Sequence, residues 1–391
     1  MACSVIRYVR ALLMVVVSGK LRWLALAGVQ LALLLPMLMG YPSGSFVFGD
    51  SEIQAKVDLL EGQLSSGVYD TAPEDLAAGV ELELKSLISA LQSGQNSSER
   101  YGGLADYYEH GLSDPYTSLD ADMKNVYAAR ALLLRRVSEL ESPCVFESAD
   151  RMPALYYLAF LPYVAPFPLV CLLALAISSG VLDAAMGGRL ISRAPVGPVR
   201  RWLATWGSLL FCTACVLLLA VAPAFAIALA RTGLGAPDYP AVSIIGGTVC
   251  ETTVSALIVR QAALALTSVA WLCALAACVA ALCSDARIGF TAAALMIAVS
   301  CLPTYLDKGA PWHDVGRSIP LTYLQLTQVL GAPLYANGVE MQAFAGATFE
   351  RGISVSLASL SMLLLVLVGV SLLVARRHAK RLERGLRHIE G

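Results

Sequence analysis

LATWGSLLFCTACVLLLAVAPAFAIALA, residues 203–230, is a run of 28 residues without one Asp, Glu, Lys, Arg or His. As a helix it would be about 42 Å long at 1.5 Å per residue, more than the ~30 Å hydrocarbon core of a bilayer. In lipid, unpaired backbone groups are too costly for anything but helices or closed barrels. The strict alternation of a barrel strand is absent from the run, so it reads as a membrane-crossing helix.

The rest of the chain agrees with that reading. Of 391 residues, 57% are hydrophobic and only 15% charged, whereas soluble domains are nearer 45–50% apolar and about 25% charged. Six apolar runs are long enough to suggest spans: Trp23–Gly40, Ala154–Ser178 (the span extending over 154–180), Leu203–Ala230, Val254–Leu282, Ile288–Leu306 and Ile353–Ala375. The expected fold class is therefore an all-α polytopic membrane protein with six transmembrane helices and a helical extracytoplasmic domain.

Lys and Arg placement sets the orientation. Residues 1–22 hold Arg7, Arg10, Lys20 and Arg22 with no acid. The segment 181–201 holds Arg189, Arg193, Arg200 and Arg201 against Asp183. The tail 376–391 holds six basic residues against Glu383 and Glu390. These three alternate correctly for the cytoplasmic side, which puts both termini there, in a multi-pass protein of the plasma membrane. Residues 42–153, with 19 acidic and 8 basic residues, belong to the opposite side.

The first apolar run is longer than the core of a cleavable signal, carries Gln30 and Pro36, and ends without an A-x-A-like site, so it reads as a retained span. Before it, 1–22 forms a cytoplasmic lead whose residues 4–19 suit an amphipathic helix in the interface plane. In 42–153, Asp70, Thr71, Pro73, Glu74 and Asp75 form a helix-start signature, and apolar stripes predict helices over 51–64, from about 70 to 91, and over 118–141. At about 110 residues the segment is long enough for a modest core of its own. Its carboxylates lack EF-hand spacing and read as a solvated acidic face. Asn96-Ser97-Ser98 matches a glycosylation sequon.

Within the apolar runs, Pro162, Pro166 and Pro168 imply an irregular second span. Ala270, Ala274 and Cys278 lie at the four-residue spacing that suits close helix contact in lipid. Cys212 and Cys215, of C-x-x-C form, fall too deep for a redox or zinc role. Arg260 and Gln261 are a polar pair inside a span; an intramembrane charge is a functional candidate, but Arg260 is near enough to a helix end to snorkel. Of ten cysteines, Cys144 and Cys250 face outward, either as a disulfide or as two unrelated thiols. The segment 307–352, with RSIPLTYLQLTQVLGAPLY, suits short helices dipping into the outer leaflet.

No phosphate-binding loop, H-E-x-x-H or G-x-S-x-G motif occurs. The histidines His110, His313, His378 and His388 are scattered. No catalytic or metal-binding constellation is assembled, no cofactor is expected on this chain, and nothing points to nucleic acid.

The layout of lead helix, first span, external domain, second span, basic proline-containing loop, third to fifth spans with a tiny inner turn (Cys283–Arg287), external re-entrant pieces and sixth span resembles the permease subunit of ABC type-2 exporters. The most specific stretch is GGRLISRAPVGPVRRW, Gly187–Trp202. Family members place an acid, a glycine, a short amphipathic helix and a Pro-Val pair there, and that helix enters a groove of the partner ATPase. Asp183, Gly187, Leu190, Ile191, Ser192, Pro195 and Val196 follow this order, with Asp where Glu is usual, a shorter Gly-to-Pro interval, and Arg189 and Arg193 at more neutral positions. Independently, Met186, Leu190 and Ile191 form a small apolar face.

The resemblance implies an exporter subunit without an ATPase site of its own, coupled to its partner through Asp183, Met186, Gly187, Leu190, Ile191, Ser192, Arg193 and Pro195. ATP and Mg would sit on a separate cytoplasmic ABC ATPase. A second permease copy or a sister permease would complete the pathway, and a lipophilic or amphipathic substrate would leave outward. The rival reading is a membrane sensor or scaffold whose external domain binds a ligand.

Overall fold

The computed structural model describes residues 2–17, 20–39, 50–67, 80–81, 84–85, 87–89, 97–113, 121–141, 149–164, 166–187, 197–245, 248–305, 324–330 and 357–373. Its helices are α1 (Ala2–Val17), α2 (Lys20–Leu38), α3 (Asp50–Ser65), α4 (Ser97–Ser113), α5 (Ala121–Ser138), α6 (Ala154–Val164), α7 (Phe167–Ser178), α8 (Gly180–Gly187), α9 (Pro198–Thr232), α10 (Val254–Cys283), α11 (Ala286–Tyr305), α12 (Leu326–Leu330) and α13 (Leu357–Leu373). Two strands, β1 (Pro240–Ile245) and β2 (Thr248–Thr253), interrupt them.

Among the described residues, three helical stretches are long and apolar enough to cross a membrane: Phe167–Met186, Pro198–Thr232 and Val254–Cys283. The other expected spans coincide with shorter apolar helices, Arg22–Leu38, Ala286–Cys301 and Leu357–Leu373. The chain is thus mostly helical, with three helices of spanning length among the described residues.

Prolines explain the divided second run. Pro166 lacks an N–H and disfavours the helical region in the residue before it, so α6 stops at Val164 and α7 starts afresh behind Pro166. The helical path then continues past the expected boundary at 180, through α8 to Gly187. The run Leu203–Ala230 lies inside a helix of 35 residues, about 52 Å long, so α9 overshoots a bilayer core by roughly 20 Å.

The hairpin between α9 and α10 departs from the all-α expectation. Its antiparallel register runs from Pro240 opposite Thr253 to Ile245 opposite Thr248. β1 is buried along Ala241–Ile244, while β2 is half-exposed. Thr253 ends β2 and caps α10, its side chain accepting from the Ala256 amide at 3.3 Å. At the other end of α10, Ser284 adopts a left-handed conformation with φ 55°, and the Asp285 carboxylate accepts from the Arg287 amide at 2.8 Å. That turn folds α11 back along α10 so closely that a Cβ on Gly289 would overlap the Ala276 carbonyl and stand 2.7 Å from the Ala280 Cβ. Small side chains therefore set this crossing. Ala270, Ala274 and Cys278 are also buried, although the tightest approach uses Ala276 and Ala280.

Two buried apolar clusters stack along the helices. One joins Leu33 and Met37 of α2, Leu133, Leu134 and Val137 of α5, Tyr157 and Phe160 of α6, Ala220 and Ala224 of α9, and Val242 of β1. The other joins Tyr8 and Leu12 of α1, Val181 and Leu182 of α8, Leu209 of α9, Cys273 and Ala277 of α10, and Ala293 of α11. The described helices after α2 share the first cluster with the apolar helices. Hydrogen bonds tie the apolar helices together: Tyr157 Oη donates to Leu33 O at 2.7 Å, Gln30 to Leu219 O at 2.8 Å, and Trp206 Nε1 to Ala270 O at 3.1 Å. In lipid such bonds contribute about 0.6–2 kcal/mol each.

Candidate functional site

The sequence directs attention to the segment between α7 and α9. Leu190, Ile191, Ser192, Arg193 and Pro195 lie outside the described residues; Asp183, Met186 and Gly187 lie on α8, which is a helix packed into the protein rather than the start of a loop. Val181, Leu182, Ala184 and Ala185 are buried. Asp183 points outward and is exposed. Met186, expected on a small apolar face with Leu190 and Ile191, packs half-buried against the second cluster.

Besides α7, which runs into it, four helices meet α8: α1, α9, α10 and α11. The α2 helix reaches its beginning, because the Arg22 guanidinium lies where a Cβ of Gly180 would stand. Only a residue without a side chain admits that approach. On the face of α1 buried against α8 and α9, Tyr8 hydrogen-bonds Thr205 of α9 through their hydroxyls at 3.2 Å. Burial pushes the Tyr8 phenol up from its usual range, while the Thr205 bond and the Arg201 charge pull it back. Trp202 and Trp206 stack with ring centroids 5.8 Å apart at the entry to α9. Sequence reasoning missed the Tyr8–Thr205 and Arg22–Gly180 contacts, since pairs so distant in the chain leave no periodic signal.

At the opposite end the helices are lashed to the hairpin. The amides of Ala154 and Leu155 donate to Gly233 O and Leu234 O at 3.0 and 3.1 Å, joining the start of α6 to the end of α9. Thr232 Oγ1 donates to Met152 O at 2.8 Å, and Tyr156 Oη accepts from the Ala236 amide at 3.0 Å while its ring meets that of Tyr239 at 4.4 Å. Gly235, with φ 84°, allows the chain to turn beside Pro153. The Arg136 guanidinium of α5 reaches Glu251 of β2 at 2.7 Å and Glu139 at 3.2 Å. On α5, Arg135 similarly joins Asp106 and Glu109 of α4, at 2.7 and 2.9 Å. These carboxylates hold both guanidiniums above the usual arginine range.

Arg260 and Gln261 behave differently from each other. Gln261 is buried and donates to Ala159 O at 3.2 Å, bridging α10 to α6. Arg260 is exposed, and its charge acts on the Cys250 thiol, which places it beside the hairpin end of α10. Cys250 is half-buried on β2; burial raises its thiol and Arg260 lowers it. Cys144 lies outside the described residues. Among the described residues, no grouping of three or more His, Cys, Asp and Glu has the arrangement of a metal site.

Comparison with known proteins finds no family model that matches the chain, and no similar curated protein or solved structure.

Proposed function

We propose that this chain is the membrane-embedded permease subunit of an ATP-driven exporter of the ABC type-2 kind, moving a lipophilic or amphipathic substrate outward. One observation carries the reading. The helix that directly precedes the 188–196 stretch, α8, touches α1, α9, α10 and α11 at once. A push delivered to that stretch by an ATPase would therefore be felt by every helix gathered there, which is the mechanical requirement of a subunit that makes no use of ATP itself.

In this reading the three long helices and the three shorter apolar ones make six spans. The arginine-rich end, with α1 and α8, faces the cytoplasm, and the hairpin with α3, α4 and α5 stands outside. A separate cytoplasmic ATPase carries ATP and Mg, and a second permease completes the pathway. Asp183, exposed at the edge of α8, is the described residue best placed to meet the ATPase.

Affinity purification of the chain from its native membrane in mild detergent tests the proposal. A soluble ATPase should accompany it in stoichiometric amount, and Leu190→Asp with Ile191→Asp should abolish that association while leaving membrane insertion intact. A chain that purifies alone, or with a regulator, overturns the exporter reading and favours the sensor.

A further inference from the structure

The α1 helix has two faces of different chemistry. Tyr8 and Leu12 are buried against α8 and α9. At about 100° per residue, Ile6, Arg10 and Met14 form a row on the opposite face, flanked by Arg7. Ile6 is 66% and Met14 57% exposed, and both arginines are exposed. Large apolar side chains interleaved with cations are costly in water and equally poor deep in hydrocarbon. They suit the boundary where acyl chains give way to headgroups.

The surroundings select the sign of the headgroup. Arg22 at the start of α2, Arg200 and Arg201 at the start of α9 and Arg287 at the start of α11 share this end of the molecule. Among the described residues, the acids at the same end are Asp183 on α8 and Asp285, whose carboxylate serves the Arg287 amide. With Arg7 and Arg10, the described residues at this end therefore number six arginines against two aspartates.

We propose that the outward face of α1 is a binding site for anionic phospholipid, with Ile6 and Met14 among the acyl chains and Arg7 and Arg10 on the headgroup phosphate. The site goes beyond the exporter reading and does not rest on it. Because α1 is fastened to α9 by the Tyr8–Thr205 bond and to α8 by packing, lipid held there is held against the helices that meet α8.

The test uses the full chain purified in detergent, with native mass spectrometry and thermal unfolding in the presence of dioleoylphosphatidylglycerol or dioleoylphosphatidylcholine. The anionic lipid should be retained preferentially and raise the unfolding temperature. Arg7→Gln with Arg10→Gln should weaken its retention about 30-fold, the effect of two interfacial cations. Arg7→Lys with Arg10→Lys should preserve it, as should Arg231→Gln at the far end of α9. Should the glutamine variant not insert, the unmodified chain still decides, because retention should fall as salt rises. Equal retention of the two lipids, indifference to salt, full retention by the glutamine variant, or equal stabilisation by inorganic phosphate overturns the proposal.

Discussion

Two glycines show how the same small residue answers to different neighbours. At Gly289 an added methyl group meets the backbone carbonyl of Ala276 and the Cβ of Ala280, which cannot give way without separating α10 from α11. At Gly180 it meets the guanidinium of Arg22, the far end of a flexible side chain. Gly289→Ala is expected to cost about 2 kcal/mol and Gly180→Ala to stay within about 1 kcal/mol of neutral, read as midpoints of unfolding in detergent. A neutral Gly289→Ala would show that the crossing is looser than described. Gln261 and Arg260 divide in the same way. Gln261→Leu removes the bond to Ala159 O and is expected to cost about 1 kcal/mol, whereas Arg260→Gln, at an exposed site, should be nearly silent in the same unfolding assay. The sequence marks both as polar intruders in an apolar run. It does not say which one faces protein, because one residue of rotation separates a buried side chain from an exposed one.

Among the elements, the helices were largely legible and the hairpin was not. Apolar content and length announce α9 and α10, and the prolines announce the break between α6 and α7. The hairpin had a sequence signal too: the pair Gly246-Gly247, with Val242, Ile244 and Ile245 before it and Thr248 and Val249 after it, is of the Gly-Gly kind that hairpin sequences favour between β-formers. Set beside two long apolar runs, it passes for an ordinary external loop. Its tie to α5 through Arg136 and Glu251 joins residues 115 apart, which no local pattern encodes. The pair is exposed to solvent, so its two-charge coupling should be weak. Glu251→Lys should speed amide exchange in β2, and adding Arg136→Glu should slow it again. Exchange in β2 that ignores both changes would mean that the hairpin is held by burial of β1 alone.

For the whole molecule, the chain threads back and forth so that the two ends of α10 carry different cysteines, Cys250 in the hairpin and Cys283 at the last turn. The helix between them is 30 residues, about 45 Å. In sealed vesicles, single-cysteine versions should react with a membrane-impermeant maleimide from opposite sides. Reaction of both from one side would sink the threading. Cys250 should react more slowly than an ordinary thiol, and faster as pH rises toward its raised titration range, because the thiolate is the reactive form. What composition could announce at this scale was a helical membrane protein with one acidic and one basic end. It could not announce that α8 would be a meeting point, since that depends on four separate helices arriving at one place. The lashings between α6, α9 and the hairpin carry a last consequence. Helices fastened together at one end behave like the tines of a fork held at its stem: relative displacement is least at the stem and grows with distance from it. For α6 and α9 the stem is the hairpin end, so a given angle of splay between them grows with distance from it, and the packing around α8 with the Tyr8–Thr205 bond resists that splay at the longest arm.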